Sequence, residues 1–236
     1  MKPDAPKRLN HYLALCGVGS RRACETYIRE GRVTVEGIPL TDPSFRVTGE
    51  VVAFDGKTVS PESTQVYLAL HKPPGYLCSS KDPSGKPLAV DLVSPHIPVR
   101  LYTVGRLDFL SSGLILLTND GDFAKKVSHP SSKIEKEYVV ETKQPIPEEY
   151  LKRCRQGVMI DRIHYRIAAY ELKTGRKVRL VLVEGKNREI RKLFAREKLT
   201  IKRLHRIRIG PVNLGTLKPG EFRNLKPSEI RRLSGI

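Results

Sequence analysis

The sequence predicts an α+β protein of two domains, the larger one built on a largely antiparallel sheet flanked by helices. Three observations carry that expectation. Short apolar runs bounded by turn residues recur through residues 66–209 and outnumber the stretches of helical periodicity. Charge is unevenly spread: residues 1–60 hold nine Lys/Arg against seven Asp/Glu, so of the total of +18 the remainder of the chain carries +16. Between these regions, residues 61–66 are polar and read as a linker. The expected division is therefore 1–60, a linker over 61–66, and 67–236. Each domain is long enough to bury its own core.

Taken in order, Leu9, Tyr12, Leu13 and Cys16 recur at i, i+3, i+4 and i+7 and give one helix an apolar face. Gly17-Val18-Gly19 breaks it. Ser20 can cap a second helix carrying Ala23, Cys24, Tyr27 and Ile28, with Gly31 as its stop. A strand over 32–35, a turn at Glu36-Gly37, a strand over 51–54 and a turn at Asp55-Gly56 complete a compact helix-helix-strand unit. The second domain opens with a strand over 66–70 and a turn over His71-Lys72-Pro73-Pro74-Gly75. A loop is expected over 79–88. Further strands are expected near 114–117, 137–142, 167–170, 178–184 and 202–209, and helices near 123–127, 148–156 and 188–197.

Composition narrows the function. With 39% hydrophobic and 29% charged residues the chain is globular. A pI near 9.9 points to a polyanionic partner, of which nucleic acid is the commonest. A membrane partner is disfavoured: no apolar run approaches ~18 residues, no signal segment precedes Lys7, and no basic amphipathic tail is present. The four cysteines form no Cys-x-x-Cys pair and no cluster with metal-ligand spacing, which suits a reduced cytoplasm and implies no metal site. Nucleotide loops of Walker or Rossmann type are missing, so no cofactor is expected.

The most informative segment is VGRLDFLSSGLILLTNDG, residues 104–121. Asp108 lies on a Gly-Arg-Leu-Asp turn at the mouth of a short buried strand, two residues from Arg106. A carboxylate beside a cation stays ionised, which suits a nucleophile or proton acceptor. As chemistry alone the same arrangement also suits a loop cap, because Asp favours turns.

The pattern Gly-Arg-Leu-Asp-x-x-Ser/Thr-x-Gly-Leu, closed by Thr-Asn-Asp-Gly, resembles the pseudouridine synthases of the RsuA/RluB/RluE/RluF group. That resemblance makes Asp108 the catalytic residue, with Ser111 where the group usually has Thr. Lys136-Glu137-Tyr138 resembles the group's Lys-x-Tyr motif, which implies that Tyr138 stacks near the target base. From pattern alone Tyr138 reads as a cross-strand packing residue. Glu184-Gly185-Lys186-Asn187-Arg188-Glu189-Ile190-Arg191-Lys192-Leu193-Phe194 resembles a third motif, in which the Arg at the position of Arg191 pairs with the aspartate. The run from Arg206 to Leu225 resembles the closing motif, and its alternation predicts structural strands rather than catalysis. In the first domain, Arg-Leu-Asn…Gly-Val-Gly-Ser-Arg-Arg-Ala…Gly-Arg-Val-Thr-Val resembles the small RNA-binding module named after ribosomal protein S-four. The resemblance spans about Arg8 to Leu233 and implies a mixed central sheet with the cleft across its middle.

The expected activity is isomerisation of a specific uridine in ribosomal RNA, the large subunit favoured over the small, without cofactor or metal. A base held in a helix is out of reach, so the target must be unpaired or flipped. Arg8, Arg21, Arg22, Arg29 and Arg32 in the first domain, and Lys72, Arg106, Lys186, Arg188 and Lys192 in the second, are the expected RNA contacts. Residues 173–208, with fourteen Lys/Arg against three Asp/Glu, are expected to form a positive wall beside the cleft. The alternatives are an inactive RNA-binding ribosome-assembly factor and a nucleosidase using Asp108 and Asp120 as a carboxylate pair. A cytoplasmic monomer acting on free rRNA or a precursor particle completes the expectation.

Overall fold

The computed structural model describes residues 5–235. They form two compact units, residues 5–65 with 98–100, and residues 66–97 with 101–235.

In the first unit β1 (Lys7–Arg8) leads into α1 (Leu9–Leu15) and α2 (Arg21–Arg29). The Ala23 N–H donates to Ser20 Oγ at 3.1 Å, which caps α2. Strands β2 (Val33–Val35), β3 (Ile38–Pro39), β4 (Arg46–Val47), β5 (Val52–Phe54) and β6 (Lys57–Thr58) follow. Four of them form an antiparallel sheet in the order β3-β2-β5-β6, while β1 pairs with β4. The two-residue hairpin turns fall at Glu36-Gly37 and Asp55-Gly56, where all four residues have positive φ, as type I′ turns require. Leu9, Leu13, Cys24, Ile28, Val33 and Val52 are buried together and hold helices to sheet. The unit is thus richer in strand than expected. Strands of two or three residues are too short to show alternation in sequence.

The second unit contains β7 (Tyr67–Lys72), β8 (Tyr102–Val104), β9 (Ser112–Thr118), α3 (Gly121–Ser128), β10 (Lys136–Thr142), α4 (Glu148–Gln156), β11 (Val158–Ile160), β12 (Ile163–Tyr165), β13 (Ala169–Thr174), β14 (Lys177–Leu182), α5 (Glu189–Arg196), β15 (Ile201–Ile209), β16 (Val212–Asn213), β17 (Phe222–Asn224) and α6 (Pro227–Ser234). The main sheet runs β13-β14-β10-β15-β9-β7-β17, with β8 against β9 and β16 against β15. Every pairing in it is antiparallel except β9 with β15, so the sheet is mixed. Two apolar clusters join helices to the sheet. One gathers Val140, Val178 and Leu180 with Tyr150, Leu151, Leu193 and Phe194 from α4 and α5. The other gathers Leu114 and Leu116 with Phe123, Val127 and Leu233 from α3 and α6. β9 is buried at every position, which is why it reads as an unbroken apolar run.

Two expectations need correction. The turn placed at 71–75 begins later, because β7 continues through His71 and Lys72. The strand expected at 167–170 runs instead over Ala169–Thr174, after the small β11–β12 hairpin. Among the described residues no helix is long and apolar enough to cross a membrane.

Candidate active site

Asp108 sits in a tight turn immediately before β9, closed by the Ser111 N–H donating to the Asp108 carbonyl at 3.0 Å. α5 brings Arg191 to it. Arg191 Nε donates to Asp108 Oδ2 at 2.9 Å, and Nη2 donates to Ser111 Oγ at 2.9 Å. One guanidinium thus fixes both ends of the turn, and the pair is only partly exposed, at 19% and 32% of side-chain area. The turn is also anchored from behind. The Phe109 carbonyl accepts from the Gly75 N–H at 2.8 Å and from Lys72 Nζ at 3.3 Å.

The cleft around Asp108 is walled by Arg106, Leu107, Lys136, Tyr138, Arg188, Glu189 and Arg206 among others. Tyr138 projects from β10 and is buried, and its hydroxyl accepts from Arg206 Nη1 at 3.3 Å. Glu189 opens α5. Its Oε2 accepts from the Lys186 N–H at 3.0 Å, and burial pushes its carboxyl pKa up. Arg188, with φ of +50°, is held in the left-handed region just before α5 and lines the cleft.

The cleft depends on two backbone features. Gly113 has φ of +108°, and a Cβ there would lie 2.1 Å from the Arg206 carbonyl, so only glycine lets β9 approach β15 at this point. A bulge then sets the direction of two arginines. Tyr138 is opposite Arg206 and Glu137 is opposite Arg208, leaving Ile207 as the extra residue. Arg206 and Arg208, which simple alternation would place on one face, therefore part. Arg206 joins Tyr138 at the cleft, and Arg208 pairs with Glu137 at 2.7 Å on the other face.

The structure brings Asp108, Tyr138, Arg191, Arg106 and Arg188 around one cleft. It does not bring every expected RNA contact to a free surface. Lys72 is fully buried, and its ammonium donates to the carbonyls of Pro73 and Tyr76, both at 2.9 Å, as well as to Phe109. Burial lowers its pKa to about 8, which leaves it protonated at pH 7 and bound to backbone. It is corrected from an RNA contact to a clamp on the Asp108 turn. Lys186 lies at the cleft edge with Nζ on the His164 carbonyl at 2.7 Å. Lys192 lies 3.8 Å from Asp161 and over the Tyr165 ring, away from the cleft lining. In the first unit Arg8, Arg21, Arg22 and Arg29 are exposed. Arg32 is bound bidentately by Asp55, which offsets its charge.

The expected positive wall is also thinner than its sequence suggests. Arg179 and Arg208 both pair with Glu137, and Lys177 with Glu141. Asp120 caps α3 through the Asp122 and Phe123 N–H groups and accepts from the Tyr67 hydroxyl. It is not part of the cleft, so the paired-carboxylate alternative has no geometry here. Lys136, Glu189 and Arg206 are cleft residues that sequence reasoning did not single out. For Arg206 the alternating Arg-Ile-Arg-Ile run pointed to structure alone.

Comparison with known proteins decides the family. Residues 66–196 match the RNA pseudouridylate synthase model, and residues 7–52 match the S4 domain model. A Borreliella burgdorferi protein described as an uncharacterized RNA pseudouridine synthase is 41% identical over 96% of this chain and 92% of its own length. The chain belongs to the RNA pseudouridylate synthase family. As an RNA pseudouridine synthase with an N-terminal S4 domain, it is also 35% identical to the ribosomal large subunit pseudouridine synthase B of Bacillus subtilis, over 98% of this chain and 96% of that one. A crystal structure of a pseudouridylate synthase superposes with a TM-score of 0.71 at 28% identity, covering 96% of this chain and 99% of that one. The mixed α+β architecture is shared along nearly the whole chain.

Proposed function

We propose that this synthase isomerises a uridine of large-subunit ribosomal RNA and that Asp108 is its reacting carboxylate. The observation that carries this reading is the Arg191 guanidinium holding both Asp108 and Ser111 at the edge of the cleft. A carboxylate so held is aimed, so no reorganisation is needed when the sugar arrives. Asp108 either bonds to C1′ as the glycosidic bond opens or takes the proton that starts elimination. The Tyr138 ring is a wall against which an unpaired base can stack, which is worth ~1–3 kcal/mol per base. Arg106, Arg188 and Lys186 at the cleft are suited to flanking phosphates.

The division of labour follows the charge and the site. Residues 1–60 supply sequence-independent affinity through Arg8, Arg21, Arg22 and Arg29, residues 61–66 connect, and residues 67–236 carry the chemistry. The large subunit is favoured because the Bacillus subtilis relative is named for that subunit. The enzyme acts as a cytoplasmic monomer on rRNA, free or in a precursor particle.

The test uses ribosomal RNA and precursor particles from a strain lacking the gene. These are incubated with protein, and pseudouridine is mapped by carbodiimide-dependent primer-extension stops. A new stop in large-subunit rRNA is expected. A stop confined to small-subunit rRNA contradicts the target, and no stop in any RNA or particle contradicts the activity.

A further inference from the structure

One buried cation in the cleft has no counter-charge among the described residues. Arg206 is only 4% exposed. Its Nε donates to the Leu114 carbonyl at 2.7 Å and its Nη1 to the Tyr138 hydroxyl at 3.3 Å, while the buried Nη2 has no partner among the described residues. The half-buried arginines elsewhere in this unit are answered by carboxylates: Arg191 by Asp108, Arg208 by Glu137 and Glu135, Arg223 by Glu229. Arg206 is answered only by neutral oxygens. A guanidinium stays charged in any protein environment, so leaving it buried and unpaired is costly and calls for an anion that arrives from outside. The backbone is arranged to keep it there. The bulge at Ile207 turns Arg206 toward Tyr138, and Gly113 allows the close strand contact that fixes its main chain.

We propose that Arg206 is a catalytic residue that donates to a carbonyl oxygen of the target uracil and stabilises the base as an anion. The inference rests on the isomerase reading of this cleft. When C1′–N1 opens, its electron pair leaves with the base and the negative charge spreads over N1, O2 and O4. The base then turns, C5 bonds to C1′, the C5 proton is lost and N1 gains one, so the charge exists only between the two bonds. A fixed guanidinium beside O2 or O4 interacts more strongly with that anion than with the neutral base, which is the condition for accelerating the step.

The test measures single-turnover rates and RNA affinity for the wild type, Arg206→Gln and Arg206→Lys. The RNA fragment carries one uridine or one 5-fluorouridine at the mapped site. The rate read is loss of the starting nucleoside, because a base with fluorine at C5 has no C5 proton to lose and cannot finish as pseudouridine. Fluorine makes the departing base a better leaving group, so an enzyme that has lost its anion stabiliser is helped more by it. With uridine, Arg206→Gln is expected to lose about 100-fold in rate with RNA affinity unchanged. The loss should be clearly smaller with 5-fluorouridine and partly restored in Arg206→Lys. Should Arg206→Gln fail to fold, the same comparison is made with Arg206→Lys. Equal losses on both substrates, or a loss that follows RNA affinity or melting temperature, overturns the role of Arg206 while leaving the isomerase reading intact. Wild-type protein that consumes neither nucleoside overturns both.

Discussion

Asp108 and the residues touching it form a chain of restraints, each with a distinct effect on replacement. Arg191 is the direct partner, so Arg191→Met frees the carboxylate and releases Ser111. The expected loss is about 100-fold in single-turnover rate, the scale of a misplaced reacting group, with RNA affinity nearly unchanged. Arg191→Lys keeps the charge but not the two-pronged contact and should recover only part of the rate. Rapid-quench kinetics on both variants checks this, and a wild-type rate in Arg191→Met would exclude the pair from the mechanism. Lys72 acts one layer further back, through the carbonyls that shape the turn. Its role was hidden in the sequence, where a lysine before Pro-Pro-Gly reads as an exposed turn residue. Only the continuation of β7 shows that it points inward. What the contrast in polarity made legible at Asp108 was a turn ahead of a buried strand. The catalytic role came from the resemblance of its Gly-Arg-Leu-Asp segment, since as chemistry alone the turn also suits a loop cap.

Among elements, the parallel β9–β15 contact has the most consequences. Gly113 against Arg206 is the tightest glycine contact with backbone in the molecule as described. Gly113→Ala must clear a clash with main chain and adopt positive φ, a cost on the order of 3 kcal/mol. A fall in melting temperature of roughly 10 °C by calorimetry is expected. The same strand pair buries Ser112 Oγ on His205 Nδ1 at 2.8 Å, with the His71 ring 5.2 Å away. Burial, helped by Arg203 and His71, lowers the His205 pKa to about 4. A histidine whose folded pKa lies below its unfolded value contributes stability that is full above pH ~6.5 and is lost as pH falls toward 4. The wild type should therefore lose a few kcal/mol between pH 6.5 and 4, and His205→Gln should show a flatter profile in denaturant titrations. Equal slopes would show that His205 is not the titrating group. Alternation alone predicted β15 as a strand but not the bulge at Ile207. Such a bulge follows from pairing with β10, and pairing is not written in either strand separately.

At the scale of the whole molecule, the surplus of +18 is divided between internal and external use. Arg179, Arg208 and Lys177 are largely neutralised by acidic residues on β10. Arg21, Arg22 and Arg29 on α2 are exposed, and no carboxylate among the described residues forms an ion pair with them. Replacing these three with glutamine should weaken RNA binding and reduce the salt slope by roughly 0.7–0.9 for each phosphate no longer neutralised. The single-turnover rate at saturating RNA should not change. Filter binding across a salt series separates the two effects, and an unchanged slope would remove α2 from the RNA surface. The charge difference between the two regions was readable by counting. How much of it reaches solvent was not, because neutralisation depends on which strands become neighbours.

The role of Asp108 is tested most directly by single-turnover conversion of rRNA with wild type and Asp108→Asn, the products being digested to nucleosides and separated by chromatography. Wild type is expected to turn the target uridine into an isomer of equal mass, while Asp108→Asn binds the same RNA and leaves the uridine unchanged. Conversion by Asp108→Asn at the wild-type rate, or release of free uracil by wild type, would contradict a mechanism in which Asp108 is the reacting carboxylate of an isomerase.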